Sequence, residues 1–158
     1  MIGRSPSPPT RRASTSVGPW GGLADGSVAG PGAFVRKYDP DGDLSRTRLF
    51  AASTTTRSLG AAVGATGVYV TGGMHASLNS SGRGGGYGGT DAFLRKYDPD
   101  GNEIWSDQFG SAGCDWVRSV SVMGSDVYFG GFTDQQLPDQ LASGGRCAYV
   151  AKMRGERP

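Results

Sequence analysis

The chain has 158 residues, a formal net charge of +2, 36% apolar residues and 28 glycines. So many glycines exclude a helical bundle, because each costs about 1 kcal/mol inside a helix, and they suit a turn-rich β protein. The small charge argues against a nucleic-acid surface, and no apolar run approaches the roughly 20 residues that span a bilayer.

Residues 1–30 read as a disordered leader, since "MIGRSPSPPTRRASTS" is dominated by Pro, Ser, Thr and Arg. Charges are present but no apolar stretch follows them, so this is not a secretory signal. An exported parent protein would carry its signal elsewhere.

The first ordered unit is expected over residues 33–74 and opens with "AFVRKYDPDG" (33–42). The same phrase returns as "AFLRKYDPDG" (92–101), differing only at Val35 and Leu94. The two copies lie 59 residues apart, and that offset also carries Phe50 onto Phe109, Val63 onto Val122, Tyr69 onto Tyr128 and Gly72 onto Gly131. A fixed internal period decides architecture, because each repeat is one supersecondary unit that must stack on its neighbours.

Within "YDPDG", proline presets the first central φ, aspartate bonds its own local backbone, and glycine supplies φ > 0. Phe34, Tyr38, Asp39 and Gly42 therefore read as strand end and hairpin, as do Phe93, Tyr97, Asp98 and Gly101. Calcium is the weaker alternative for the alternating Asp39, Asp41 and Asp43. A calcium EF-hand loop needs glycine at its sixth position and glutamate at its twelfth. Here the glycine is fourth, no such glutamate follows, and the second copy has Asn102 in place of the third aspartate. The expected cofactor is none.

Between the units, "GRGGGYGG" (82–89) lacks the Gly-Lys-Ser/Thr ending of a phosphate loop and reads as a flexible connection. The second unit, 92–133, reads as four strands at 92–97, 103–109, 117–123 and 126–132. Aromatic and β-branched residues fill the first and fourth. Val120 and Val122 alternate with Ser119 and Ser121 in the third, and "DPDGN", "GSAGCD" and "MGSD" supply the turns. "CAYVAKM" (147–153) begins a third copy, with residues 154–158 as a tail. Four antiparallel strands every fifty to sixty residues is the signature of a β-propeller blade. The expected fold is thus all-β: a partial propeller, with two four-stranded blades and the first strand of a third.

The segment "GTDAFLRKYDPDGNEIWSDQFGSAGCDWVRSVSVMGSDVYFGGFT" (89–133) resembles the repeat of the bacterial seven-bladed β-propeller (SBBP) family. The likeness lies in a "DAF-x-x-K-Y-D" strand, a Gly-Asn turn, a "W-S-x-Q-F-G" strand and a "V-Y-x-x-G-x-T" strand. The first copy departs from it, with Arg46 in place of Trp105 and "AASTTTR" in place of "GSAGCDW". The resemblance spans about residues 31–153. It implies a bacterial surface or extracellular protein whose propeller is a scaffold or adhesive module, and it carries over no catalytic residues.

The lysines form the most informative chemical pattern. Among 16 basic residues only Lys37, Lys96 and Lys152 are lysines, and all three occupy one repeat position. Such a site prefers an ammonium on a flexible stem to a planar guanidinium. The structural alternative packs the stem between neighbouring blades while the ammonium finds a carboxylate or carbonyls. The functional alternative is a ring of lysines that binds an anion in a central channel.

Cys114 and Cys147 fall in loops on the same face of such an arrangement, while the first copy has Thr55 and Asp91 at the equivalent places. A disulfide between them would staple neighbouring blades, contributing about 3–4 kcal/mol, and would fit an oxidising compartment. The other alternative is two unpaired thiols in a cytosolic protein, so a cytoplasmic location stays open beside the extracellular one. The single histidine, His75, reads as a loop residue, and one His with two separated Cys does not make a four-ligand zinc site.

The expected function is non-catalytic: a structural or protein-interaction module. A carbohydrate-binding propeller is the first alternative, resting on the loop aromatics Trp20, Tyr87 and Trp116. A fragment of a propeller enzyme is the second. Because propellers close with typically 4–8 blades, the expected partners are further blades in a longer chain or in other copies, with a protein or glycan ligand beyond them.

Overall fold

The computed structural model describes residues 14–19, 33–50, 56–75, 88–135, 137 and 145–156. Every regular element among them is a β-strand: β1 (Ser14–Pro19), β2 (Ala33–Tyr38), β3 (Leu44–Phe50), β4 (Arg57–Gly64), β5 (Gly67–Met74), β6 (Asp91–Tyr97), β7 (Glu103–Phe109), β8 (Asp115–Met123), β9 (Asp126–Thr133) and β10 (Cys147–Arg154). They form three antiparallel sheets in the orders β1-β2-β3, β4-β5-β6-β7 and β8-β9-β10.

The sheets do not coincide with the repeats read from sequence. The expected unit 33–74 is split, with β2 and β3 in the first sheet and β4 and β5 in the second. The unit 92–133 is split in the same way between the second and third. Sequence repeat and sheet are therefore out of phase by two strands. The physical reason is pairing across the long link: Val68 of β5 pairs directly with Tyr97 of β6, whereas the short link from β7 to β8 crosses between sheets. Each short hairpin stays within one sheet, so the hairpins alone leave the phase of the sheets unset.

A second correction concerns the leader. Its residues 14–19 form β1, which pairs with β2 in the register Ser14↔Tyr38 to Pro19↔Ala33. This is the register that β5 makes with β6, so β1 holds the place of β5 in the first sheet. The rest of the leader, most of the 82–89 connection, Trp20 and Tyr87 lie outside the described residues.

The repeat is reproduced in local irregularities as well. A register shift follows the lysine in both first hairpins, between Lys37 and Tyr38 and between Lys96 and Tyr97. Gly42 and Gly101 sit at φ of 95° and 79°, where a side chain would be strained. A second pair of bulges lies at Ser58/Gly60 and Val117/Ser119. Gly72 and Gly131 lie opposite them: a Cβ there would stand 1.8 Å and 1.7 Å from the Arg57 and Trp116 carbonyl oxygens. Only glycine permits this backbone approach.

β6 is buried along its whole length because it has a sheet on either side. Its Phe93 and Tyr97 join Ala33, Val70 and Met74 in the core shared with the first sheet. Its Ala92 and Leu94 join Tyr69, Val117, Val127, Phe129 and Tyr149 in the core shared with the third. Strand alternation thus sends one row of "DAFLRKY" to each neighbour. β4 packs against β1 on one side and β8 on the other. Gly60 and Gly64 allow that approach, since a Cβ at either would lie 3.1–3.3 Å from β8 atoms.

Candidate functional site

The repeated hairpin is built as its sequence predicts. Asp39 Oδ1 accepts the backbone N–H groups of Asp41 and Asp43, each at 2.9 Å, and Gly42 N–H donates to the Asp39 carbonyl at 3.1 Å. In the second copy Asp98 accepts Asn102 N–H at 2.8 Å and Asn102 Nδ2 at 2.9 Å. The backbone bond from Asn102 is the main reason that the Asp98 carboxyl is held below its ordinary value. Among the described residues, no group of three or more His, Cys, Asp or Glu side chains is arranged to hold a metal ion.

The repeated lysines join one sheet to the next. Lys37 Nζ donates to the Pro99 carbonyl at 3.2 Å, across from the first sheet to the β6–β7 turn of the second. Lys96 Nζ donates to the Gly155 carbonyl at 3.1 Å, across from the second sheet to the segment after β10 of the third. Pro99 and Gly155 occupy the same repeat position, two residues beyond the end of the "K-Y" and "K-M" pairs. One rule therefore describes both contacts: the lysine of each sheet bonds the turn carbonyl of the sheet that follows.

The Lys96 contact is sealed. Its side chain is 3% exposed, its ammonium lies 5.5 Å from the Tyr69 ring centroid, and Glu156 Oε1 is 3.4 Å away. Trp105 Nε1 donates to the same Gly155 carbonyl at 3.4 Å. Thr66 Oγ1 donates to Glu156 at 2.8 Å. That bond first, and Lys96 second, keep the Glu156 carboxyl below its ordinary value. Neither Gly155 nor Glu156 was singled out in the sequence, where both fall in an unpatterned tail.

Lys152 differs. Its ammonium stands 5.5 Å from the Tyr128 ring centroid, which copies the Lys96–Tyr69 pair, and it bonds Asp126 Oδ2 of its own sheet at 2.6 Å. The Asp126 hydrogen bond is the main cause that raises the Lys152 pKa.

Two buried aspartates were also missed. Asp91 and Asp115 flank Gly110, where a Cβ would lie 2.6 Å from Asp91 Oδ1 and 2.9 Å from Asp115 Oδ2. Gln108 Nε2 donates to Asp91 at 2.7 Å, and Ser111 donates to Asp115 from its backbone N–H at 2.6 Å. Asp115 N–H in turn bonds the Thr90 carbonyl at 2.6 Å. These bonds fix the crossing from the second sheet to the third. Their sequence signal is the twin Gly-x-Asp that opens β6 and β8.

Cys114 and Cys147 are both half-buried, and Cys147 Sγ donates to the Gly145 carbonyl at 3.5 Å. Thr133 of β9 lies between their strands, paired to Cys147 on one side and to Asp115 on the other. No disulfide joins them; Cys147 opens β10, and Cys114 directly precedes β8. His75 Nε2 lies 2.8 Å from Thr90 Oγ1. Trp116 packs against Gly73, where a Cβ would come 2.5 Å from its ring.

The chain matches no protein-family model and no curated protein. Among the described residues, no helix is long and apolar enough to cross a membrane.

Proposed function

We propose that the chain is a non-catalytic structural and protein-interaction module, a stretch of β-propeller whose three sheets are successive blades, in a surface or secreted protein of bacterial type. The observation that carries this reading is the repeated lysine contact. Lys37 and Lys96, at one repeat position, each bond a carbonyl of the following sheet at one repeat position. The lysine kept at this repeat position is thus used to stack sheets. The resemblance of 89–133 to the SBBP repeat supports the same fold and the surface location.

The test combines a glycan array with denaturant unfolding of Lys96→Ala. The scaffold reading expects no saturable glycan signal and a lower unfolding midpoint. Saturable binding that disappears on replacing Trp116 would put the carbohydrate-binding alternative in its place.

A further inference from the structure

We infer that the outer face of the third sheet docks, head to tail, on the outer face of the first sheet of a second copy of this chain, with Lys152 donating to the Pro40 carbonyl of that copy. The inference rests on the stacked-sheet reading above and extends it to a surface.

The third sheet's outer face repeats the face that the second sheet buries. On β6, Leu94 is 0% exposed against the third sheet, and Lys96 follows two residues later beside Tyr69. On β10, Val150 takes the place of Leu94 and Lys152 that of Lys96, with Tyr128 beside it as Tyr69 is beside Lys96. Here Val150 is 83% exposed, and Met123 on the same face is 72% exposed. An aliphatic side chain sealed in one copy of the repeat lies open in the next.

The internal contact also shows what covers such a face. Against Leu94 and Lys96 lie Tyr149, Met153 and the Gly155 carbonyl. Their repeat equivalents in the first sheet are Phe34, Tyr38 and Pro40. These sit on the outer face of that sheet, the one turned away from the Ala33 and Val35 core. Leu49, cross-strand partner of Phe34, is 56% exposed on the same face. The chain therefore carries both halves of its own internal interface, one at each end of the stack; on the first-sheet half Leu49 is exposed, Phe34 and Tyr38 are half-buried and Arg36 between them is buried. Because the two halves are different surfaces, the contact is heterologous and propagates into a ring or a filament.

Sedimentation velocity over about a hundredfold range of concentration tests this, using wild type, Val150→Asp, Leu49→Asp and an equimolar mixture of the two variants. Both substitutions are at exposed positions, and circular dichroism checks that each variant folds. The expected result is concentration-dependent growth of the wild type, with each variant weakened by at least about 30-fold, as for a central apolar contact. The mixture should form dimers and stop there, because one intact head and one intact tail remain. Lys152→Glu should weaken growth as well. A folded wild type that stays monomeric throughout overturns the docking and leaves the scaffold reading standing. So does assembly that neither variant affects, or a mixture that grows like wild type. Loss of the scaffold reading would show instead as saturable glycan binding, which these runs do not measure.

Discussion

The contact between the first and second sheets is open, and the contact between the second and third is closed, although both use the same lysine. Lys37 is exposed, with Thr15 opposite it on β1 and Arg46 on β3. Lys96 is 3% exposed, with Tyr69 opposite it on β5 and Trp105 on β7. The carbonyl bonds are nearly equal, at 3.2 and 3.1 Å. What separates the two sites is the pair of aromatic flanks. They shield the ammonium from water, place it over a ring face and add a second donor on the same carbonyl. The hydrogen bond sets where the next sheet sits, and the flanking side chains set how much it contributes.

That difference is open to direct attack. Lys96→Ala should have the largest effect, about 2–3 kcal/mol in denaturant unfolding, since it removes a buried charged hydrogen bond and the packing of its stem. Lys37→Ala should cost no more than about 0.5 kcal/mol, like other exposed substitutions. Equal losses would mean that the aromatic flanks do not matter. Lys96→Arg comes next, at about 1–2 kcal/mol, because a larger head must fit a closed site. The same change at Lys37 should leave the midpoint unmoved. Arg46→Trp, which gives the first sheet the indole of the second, should stabilise by about 0.5–1 kcal/mol through ring contact, and only while Lys37 is present.

The smallest effect is a pH dependence. Glu156 has a lowered pKa in the folded chain. Its contribution is therefore complete above the ordinary value of 4.5 and is lost as the pH falls through the folded value. Unfolding midpoints followed downward from pH 6 should show an acid-side decrease that Glu156→Gln makes shallower.

Much of the fold was legible in the sequence. The period, the strands, the turn chemistry of "YDPDG" and the special place of lysine all appear as residue patterns, because each is set by local backbone and spacing. The phase of the sheets was not legible. It depends on which strands pair across the 75–90 link, and no local signal encodes that. β1 was hidden for a related reason: "STSVGP" has few apolar residues, and its strand character comes from pairing with β2 rather than from its own propensity. The lysine partners were hidden as well. A carbonyl acceptor leaves no trace in side-chain identity, so Pro99 and Gly155 look unrelated until the repeat is aligned.

The central claim is that the repeated lysine ties each sheet to the turn of the next. The most direct measurement is NMR of the lysine ammonium groups in the wild-type chain, with contacts read from each Nζ. The account predicts a slowly exchanging Lys96 ammonium with contacts to Gly155 and to the Tyr69 ring, while Lys37 exchanges fast. A Lys96 ammonium that exchanges as fast as that of Lys37 and shows no contact to Gly155 would contradict it.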